Sequence, residues 1–150
     1  MGTILHKIIQ EEIQRLFEIR EQFNTVYHGT SKEGAQDIIN NGIDMSKSDG
    51  GYFGKGFYTT PDPELAKSNY ADFSGDEGGV ILELQISPEA NILDLRDAED
   101  FETWKPFSKL IHRPDIHEIL TSKGIDGLWD DSFDGVVIYN PDVIRVKGTV

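Results

Sequence analysis

The sequence predicts a single α+β domain over residues 1–150, built on a mainly antiparallel sheet. Three observations predict it. Val80 to Ile86 alternates, placing Val80, Leu82, Leu84 and Ile86 on one face of a strand. Near the start, Ile4, Leu5, Ile8, Ile9, Leu16 and Phe17 recur at helical spacing. The chain then ends in short strand-like runs joined by tight turns, without the strand–helix–strand alternation of a parallel sheet.

In chain order, Thr3 can cap a helix running to about residue 22, with Glu, Gln, Lys and Arg opposite the apolar stripe. That stripe is expected to dock on the sheet, a dimer or partner interface being the alternative. Phe23 to His28 turns extended on Thr25, Val26 and Tyr27, and Gly29-Thr30 is expected to break the strand. Ser31 is an N-cap for a helix over Lys32 to Asn41, with Ala35, Ile38 and Ile39 inward and Gly42 as a left-handed C-cap. Gly56 to Thr60 is strand-like. Pro61-Asp62-Pro63-Glu64 starts a helix carrying Leu65, Ala66 and Tyr70 to about Ala71, because proline and acids suit a first turn. A polar loop over 72–79 precedes the alternating strand. Asn91 to Leu95 is extended, and two helical stretches between Asp97 and Lys123 are split near Arg113-Pro114. Ile125 to Trp129, Phe133 to Tyr139 and Val143 to Val146 close the chain as strands, with a turn at Asn140-Pro141-Asp142.

Composition narrows the function. The net charge is -13, from 27 acids against 14 bases. Such a surface repels a phosphate backbone, so direct nucleic-acid binding is not expected; it suits a basic partner or serves solubility. The chain has no cysteine, which removes disulfides and thiolate metal sites, and no metal is expected. Met1 to His6 lacks the basic stretch and apolar core of a signal peptide, and no apolar run is long enough to span a bilayer. A cytoplasmic protein with no membrane partner is the expectation.

The stretch Gly50 to Thr60, four glycines and four aromatics with one lysine and no acid, exceeds ordinary folding needs. Glycine weakens any element unless special dihedrals or close approach require it. Rings beside exposed backbone suit a ligand with a planar ring and a phosphate or ribose; a structural hairpin corner is the alternative. Neither a Rossmann nor a Walker pattern is present. His28, just before a helix, is placed either to face a cleft or to serve as a partly buried hydrogen-bonding residue.

Tyr27-His28-Gly29-Thr30, then Gly51-Tyr52-Phe53-Gly54-Lys55-Gly56-Phe57-Tyr58, then Lys67-Ser68-Asn69-Tyr70 together resemble the catalytic domain of ADP-ribosyltransferases of the diphtheria-toxin and poly(ADP-ribose) polymerase type, which carry a His-Tyr-Glu triad. The likeness covers roughly residues 26 to 86, more loosely 125 to 146. It implies split, mainly antiparallel sheets with the N-terminal helix packed on them, and NAD as co-substrate. His28 would bond the adenosine ribose, Gly29 would offer its N–H and C=O to the nicotinamide carboxamide, and Tyr58 and Tyr70 would enclose the nicotinamide ring. Tyr27, Thr30, Gly54 and Gly56 would complete the pocket, the glycines by close backbone approach. Lys55 would point to solvent or a phosphate.

The family's glutamate, at the start of a late strand, has no counterpart, since no glutamate follows Glu118. Counting back from Asn140-Pro141 puts Gly135 at its place. Asp134 is the first candidate to replace it, through a bulge or one-residue shift. Asp131 and then Asp130 follow, and lack of any equivalent remains an alternative. The resemblance, with its glutamate missing, implies an enzyme that transfers single ADP-ribose units to a protein side chain, and the acidic surface argues for a basic or nucleic-acid-binding acceptor. An NAD glycohydrolase using the same pocket, or an inactive NAD- or ADP-ribose-binding interaction module, are the alternatives.

Overall fold

Two sheets face each other across an apolar core, and the local signals of the chain account for most of their strands. The computed structural model describes residues 7–11, 25–48, 51–67, 79–130 and 135–150. The first sheet has the order β1 (Thr25–Thr30), β3 (Val80–Ile86), β7 (Ile144–Thr149), antiparallel throughout. The second has the order β2 (Phe57–Thr59), β6 (Gly135–Ile138), β5 (Gly127–Asp130), β4 (Ile92–Asp94), and its single parallel pair is β4 with β5. The architecture is therefore α+β with mainly antiparallel, separate sheets.

The alternation in β3 sends Leu82, Leu84 and Ile86 inward, where they meet Val26 of β1, Ile144 of β7 and, from the second sheet, Phe57, Val136 and Ile138. Residues alternate across a strand, so Leu93, Leu128 and Val137 occupy the other face of the second sheet. There they pack with Phe53, Ile116 and Leu120 in a second cluster. Helix α5 (Ile116–Ser122) covers that cluster, with Trp104 at the end of α4 (Ala98–Trp104) packed at its margin.

Capping sets the helix starts. The Ser31 hydroxyl accepts the Gly34 N–H at 3.0 Å and opens α2 (Lys32–Asn41). The Asp62 carboxylate accepts the Glu64 N–H at 2.9 Å and opens α3 (Pro63–Ala66) with Pro63 in the first turn. Ala35 is buried as expected, whereas Ile39 is 50% exposed and lies outside the inward set. Gly42 has the positive φ of a glycine cap, 84°, but its ψ of 179° takes it out of the left-handed helical well.

Other differences concern the ends of elements. Gly29 and Thr30, expected to end the first strand, instead pair with Ile81 and Val80, because β3 extends far enough to hold them in the ladder. Ile125 precedes β5, which starts at Gly127, and Val143 belongs to a 3₁₀ turn over Pro141–Val143 capped by Asn140. Residues 7–11 are helical (α1), but Ile8 and Ile9 are 56% and 49% exposed, so this part of the apolar stripe is not docked on the sheet. The remainder of the expected N-terminal helix, the end of the helix carrying Tyr70, and the polar loop up to residue 78 lie outside the described residues.

Candidate functional site

The two sheets are joined where β1 passes β2. Tyr27 donates its N–H to the Thr60 carbonyl at 2.7 Å and accepts the Thr60 N–H at 2.9 Å. In an antiparallel ladder, alternate residues of a strand aim both backbone groups toward or away from the neighbour. Tyr27 spends its pair on Thr60, so Gly29, two residues on, also directs its N–H and C=O away from β3. Among the described residues neither group of Gly29 has a hydrogen-bond partner. The junction thus leaves one peptide donor and one acceptor side by side at a sheet edge.

The same junction brings His28 to Tyr58 across a sequence separation of 30 residues, with Nδ1 2.6 Å from the Tyr58 carbonyl oxygen. A carbonyl only accepts, so Nδ1 carries the proton. Burial holds the imidazole below its ordinary value of 6.5, against a smaller upward pull from that hydrogen bond. At neutral pH the ring is therefore uncharged, and Nε2 is a hydrogen-bond acceptor. The Phe57 ring stacks on the imidazole at 4.1 Å between centroids and fixes its plane.

The glycine-rich loop is hung from two tyrosine hydroxyls. That of Tyr58 accepts the Phe53 N–H at 3.0 Å and donates to the Gly54 carbonyl at 2.6 Å, while that of Tyr139 donates to the Phe53 carbonyl at 2.7 Å. Burial pushes the Tyr139 hydroxyl well above its usual range, so it stays protonated and serves as a donor. Gly51 and Gly54 exchange backbone bonds at 3.2 and 3.0 Å, which closes the turn. At Gly54, φ is 83° and a Cβ would collide with the Ile111 carbonyl oxygen. At Gly56 a Cβ would stand 2.5 Å from Val137 Cγ2. Both glycines are thus required by packing against this protein's own backbone and core. The expectation that Gly54 opens a path for a ligand is corrected, since it faces Ile111 and does not line the cleft; Gly56 does. Gly51 lies on the Tyr58 ring, where a Cβ would be 2.6 Å from Cζ.

Between this loop and α2 lies a cleft of about 550 Å³, within the range of small-molecule sites. His28, Thr30, Gly56, Phe57 and Tyr58 form one wall, and Tyr52, 77% exposed, stands at its rim. The far wall is formed by Ile38, Ile43, Met45, Asp37, Asp44 and Lys47. Asp37 holds Lys47 Nζ at 2.6 Å, and Asp44 caps the 3₁₀ turn Met45–Lys47 by accepting the Ser46 N–H at 2.9 Å. Lys55 is half-buried and does not line the cleft.

Of the expected site residues, His28, Thr30, Gly56 and Tyr58 line the cleft; Tyr27 and Gly29 belong to the same strand but do not line it, and Gly54 faces Ile111. Tyr70, Asp131 and Asp134 lie outside the described residues. Asp130 ends β5 opposite Gly135, the first residue of β6. The far wall was not foreseen: Asp37 and Ile38 read only as helix positions, and the sequence assigned no element or role to Asp44, Met45 and Lys47. No known family matches the chain, and no curated protein matches it.

Proposed function

We propose that the cleft binds NAD and that the chain transfers a single ADP-ribose unit from it to a protein side chain. One observation carries this reading: the neutral His28 and the Tyr58 ring line one wall of a dinucleotide-sized cleft, and between the lining residues His28 and Thr30 the backbone N–H and C=O of Gly29 face away from β3. A carboxamide needs one donor and one acceptor side by side, which the edge of Gly29 offers. A ribose hydroxyl needs an acceptor, which Nε2 of His28 offers because Nδ1 is committed to the Tyr58 carbonyl. The Tyr58 hydroxyl is committed to the loop, so its contribution to a ligand is the ring face.

The reaction breaks the bond between the ribose C1′ and the nicotinamide nitrogen. Its electron pair returns to the ring and discharges the pyridinium, a new bond forms from C1′ to the acceptor atom, and the acceptor's proton is released. The residues described contribute orientation, the effect that makes a bimolecular step effectively unimolecular. Asp134, or else Asp131, is assigned the negative charge facing the developing cation. The acidic surface favours a basic acceptor protein.

Intact mass spectrometry of the full chain and of a panel of purified basic proteins, each incubated with NAD, tests the proposal. A single ADP-ribose increment on an acceptor supports transfer. Free ADP-ribose without any adduct favours the glycohydrolase, and NAD left intact under every condition leaves only a binding module.

A further inference from the structure

We infer that Lys47 is the phosphate-binding cation of the cleft, and that Asp37 competes with the ligand's diphosphate for it. The inference rests on the NAD reading and adds a residue to which the sequence assigned no role. Among the described residues, the charged ones lining the cleft are Asp37, Asp44 and Lys47. A dinucleotide brings a diphosphate into a wall with more acid than base, on a chain of net charge -13. Among the described residues, Lys47 is the cation that lines it.

Its position fits. The neighbouring Ser48 hydroxyl accepts the Gly56 N–H at 3.3 Å, tying the 3₁₀ turn to the glycine loop. Phe57 follows, stacked on His28, so Lys47 belongs to the structure that frames the ribose-binding histidine. Lys47 Nζ sits 2.6 Å from Asp37 Oδ2, with the two side chains 61% and 33% exposed. Exposed ion pairs are weak because water competes for both partners. Asp37 also accepts Asn41 Nδ2 at 2.9 Å, so it keeps a donor when the lysine leaves. Asp44 is engaged by both the N–H and the hydroxyl of Ser46, at 2.9 and 2.6 Å, and does not follow the lysine. A flexible stem with a compact charge lets Lys47 swing from carboxylate to phosphate.

Calorimetric titration of the full chain with NAD and with ADP, repeated at rising NaCl, tests the assignment. Lys47→Met should weaken both ligands about tenfold, the worth of one charge-assisted hydrogen bond, and flatten the salt dependence. Lys47→Arg should restore much of the loss. Asp37→Asn should tighten both ligands, a gain that general damage to the wall would not produce. If Lys47→Met binds ADP as the wild type does, or Asp37→Asn weakens it, the assignment is wrong while the NAD reading stands. If the wild type binds neither NAD nor ADP, both fail.

Discussion

Replacing Tyr58 with Phe separates the ring of this residue from its hydroxyl. The substitution removes the acceptor of the Phe53 N–H, at 3.0 Å, and the donor to the Gly54 carbonyl, at 2.6 Å. The Gly54 carbonyl keeps the Gly51 N–H at 3.2 Å, so its loss is the smaller one. Phe53 is 3% exposed, and a backbone N–H deprived of its partner there carries a desolvation penalty of about 1–3 kcal/mol. A net loss of about 2 kcal/mol follows, which for a chain of this size lowers Tm by about 4–8 °C. Urea unfolding of both proteins gives the difference independently of temperature. The ring remains, so at saturating NAD the Tyr58→Phe enzyme should release nicotinamide within a few-fold of the wild-type rate, while Tyr58→Ala should abolish release. Tyr139→Phe acts on the same residue from the other side, and the double variant should be non-additive. An unchanged urea midpoint in Tyr58→Phe would refute the suspension of the loop. Abolished turnover in a stable Tyr58→Phe would show that the hydroxyl acts on the substrate.

Gly54→Ala and Gly42→Ala share a positive φ, 83° and 84°, which a residue with a Cβ rarely adopts, and each incurs about 1–3 kcal/mol from it. Only Gly54 also meets a carbonyl, that of Ile111, while nothing lies within 4 Å of Gly42, so Gly54→Ala should have clearly the lower urea midpoint. Because burial lowers the His28 pKa below 6.5, its contribution to stability is complete above about pH 6.5 and is lost as pH falls through the lowered value. Urea midpoints should therefore drop as pH falls below about 6.5 in the wild type and drop less in His28→Asn; equal slopes would contradict the buried neutral imidazole. Asp134→Asn should slow nicotinamide release by about 10²–10³-fold and Asp131→Asn only slightly. The reverse order would assign the charge to Asp131.

What could be read from the sequence was what depends on near neighbours. The Ser31 and Asp62 caps act within three residues, and the alternation of Val80 to Ile86 is local, so both helices start, and the strand stands, where expected. The continuation of β1 through Gly29-Thr30 is not local. It depends on pairing with Val80 and Ile81 some fifty residues away, and single-residue propensities at Gly29 argue against it. The same holds for Gly54, whose need for glycine comes from Ile111, and for the Tyr139 hydroxyl, which reaches the Phe53 carbonyl across 86 residues. The near wall of the cleft was legible because His28, Gly51 to Tyr58 and their spacing form a pattern. The far wall was not, since Asp37 and Lys47 become partners only once the Asp44 cap folds the chain back onto α2.

The central claim, that this cleft splits NAD, is tested most directly by following nicotinamide release from NAD for the wild type and His28→Ala side by side. Far-UV circular dichroism would show that both remain folded. Steady release by the wild type, with a basic acceptor present, and none by His28→Ala is the predicted result. Equal release by the two proteins, or none by either, would contradict it.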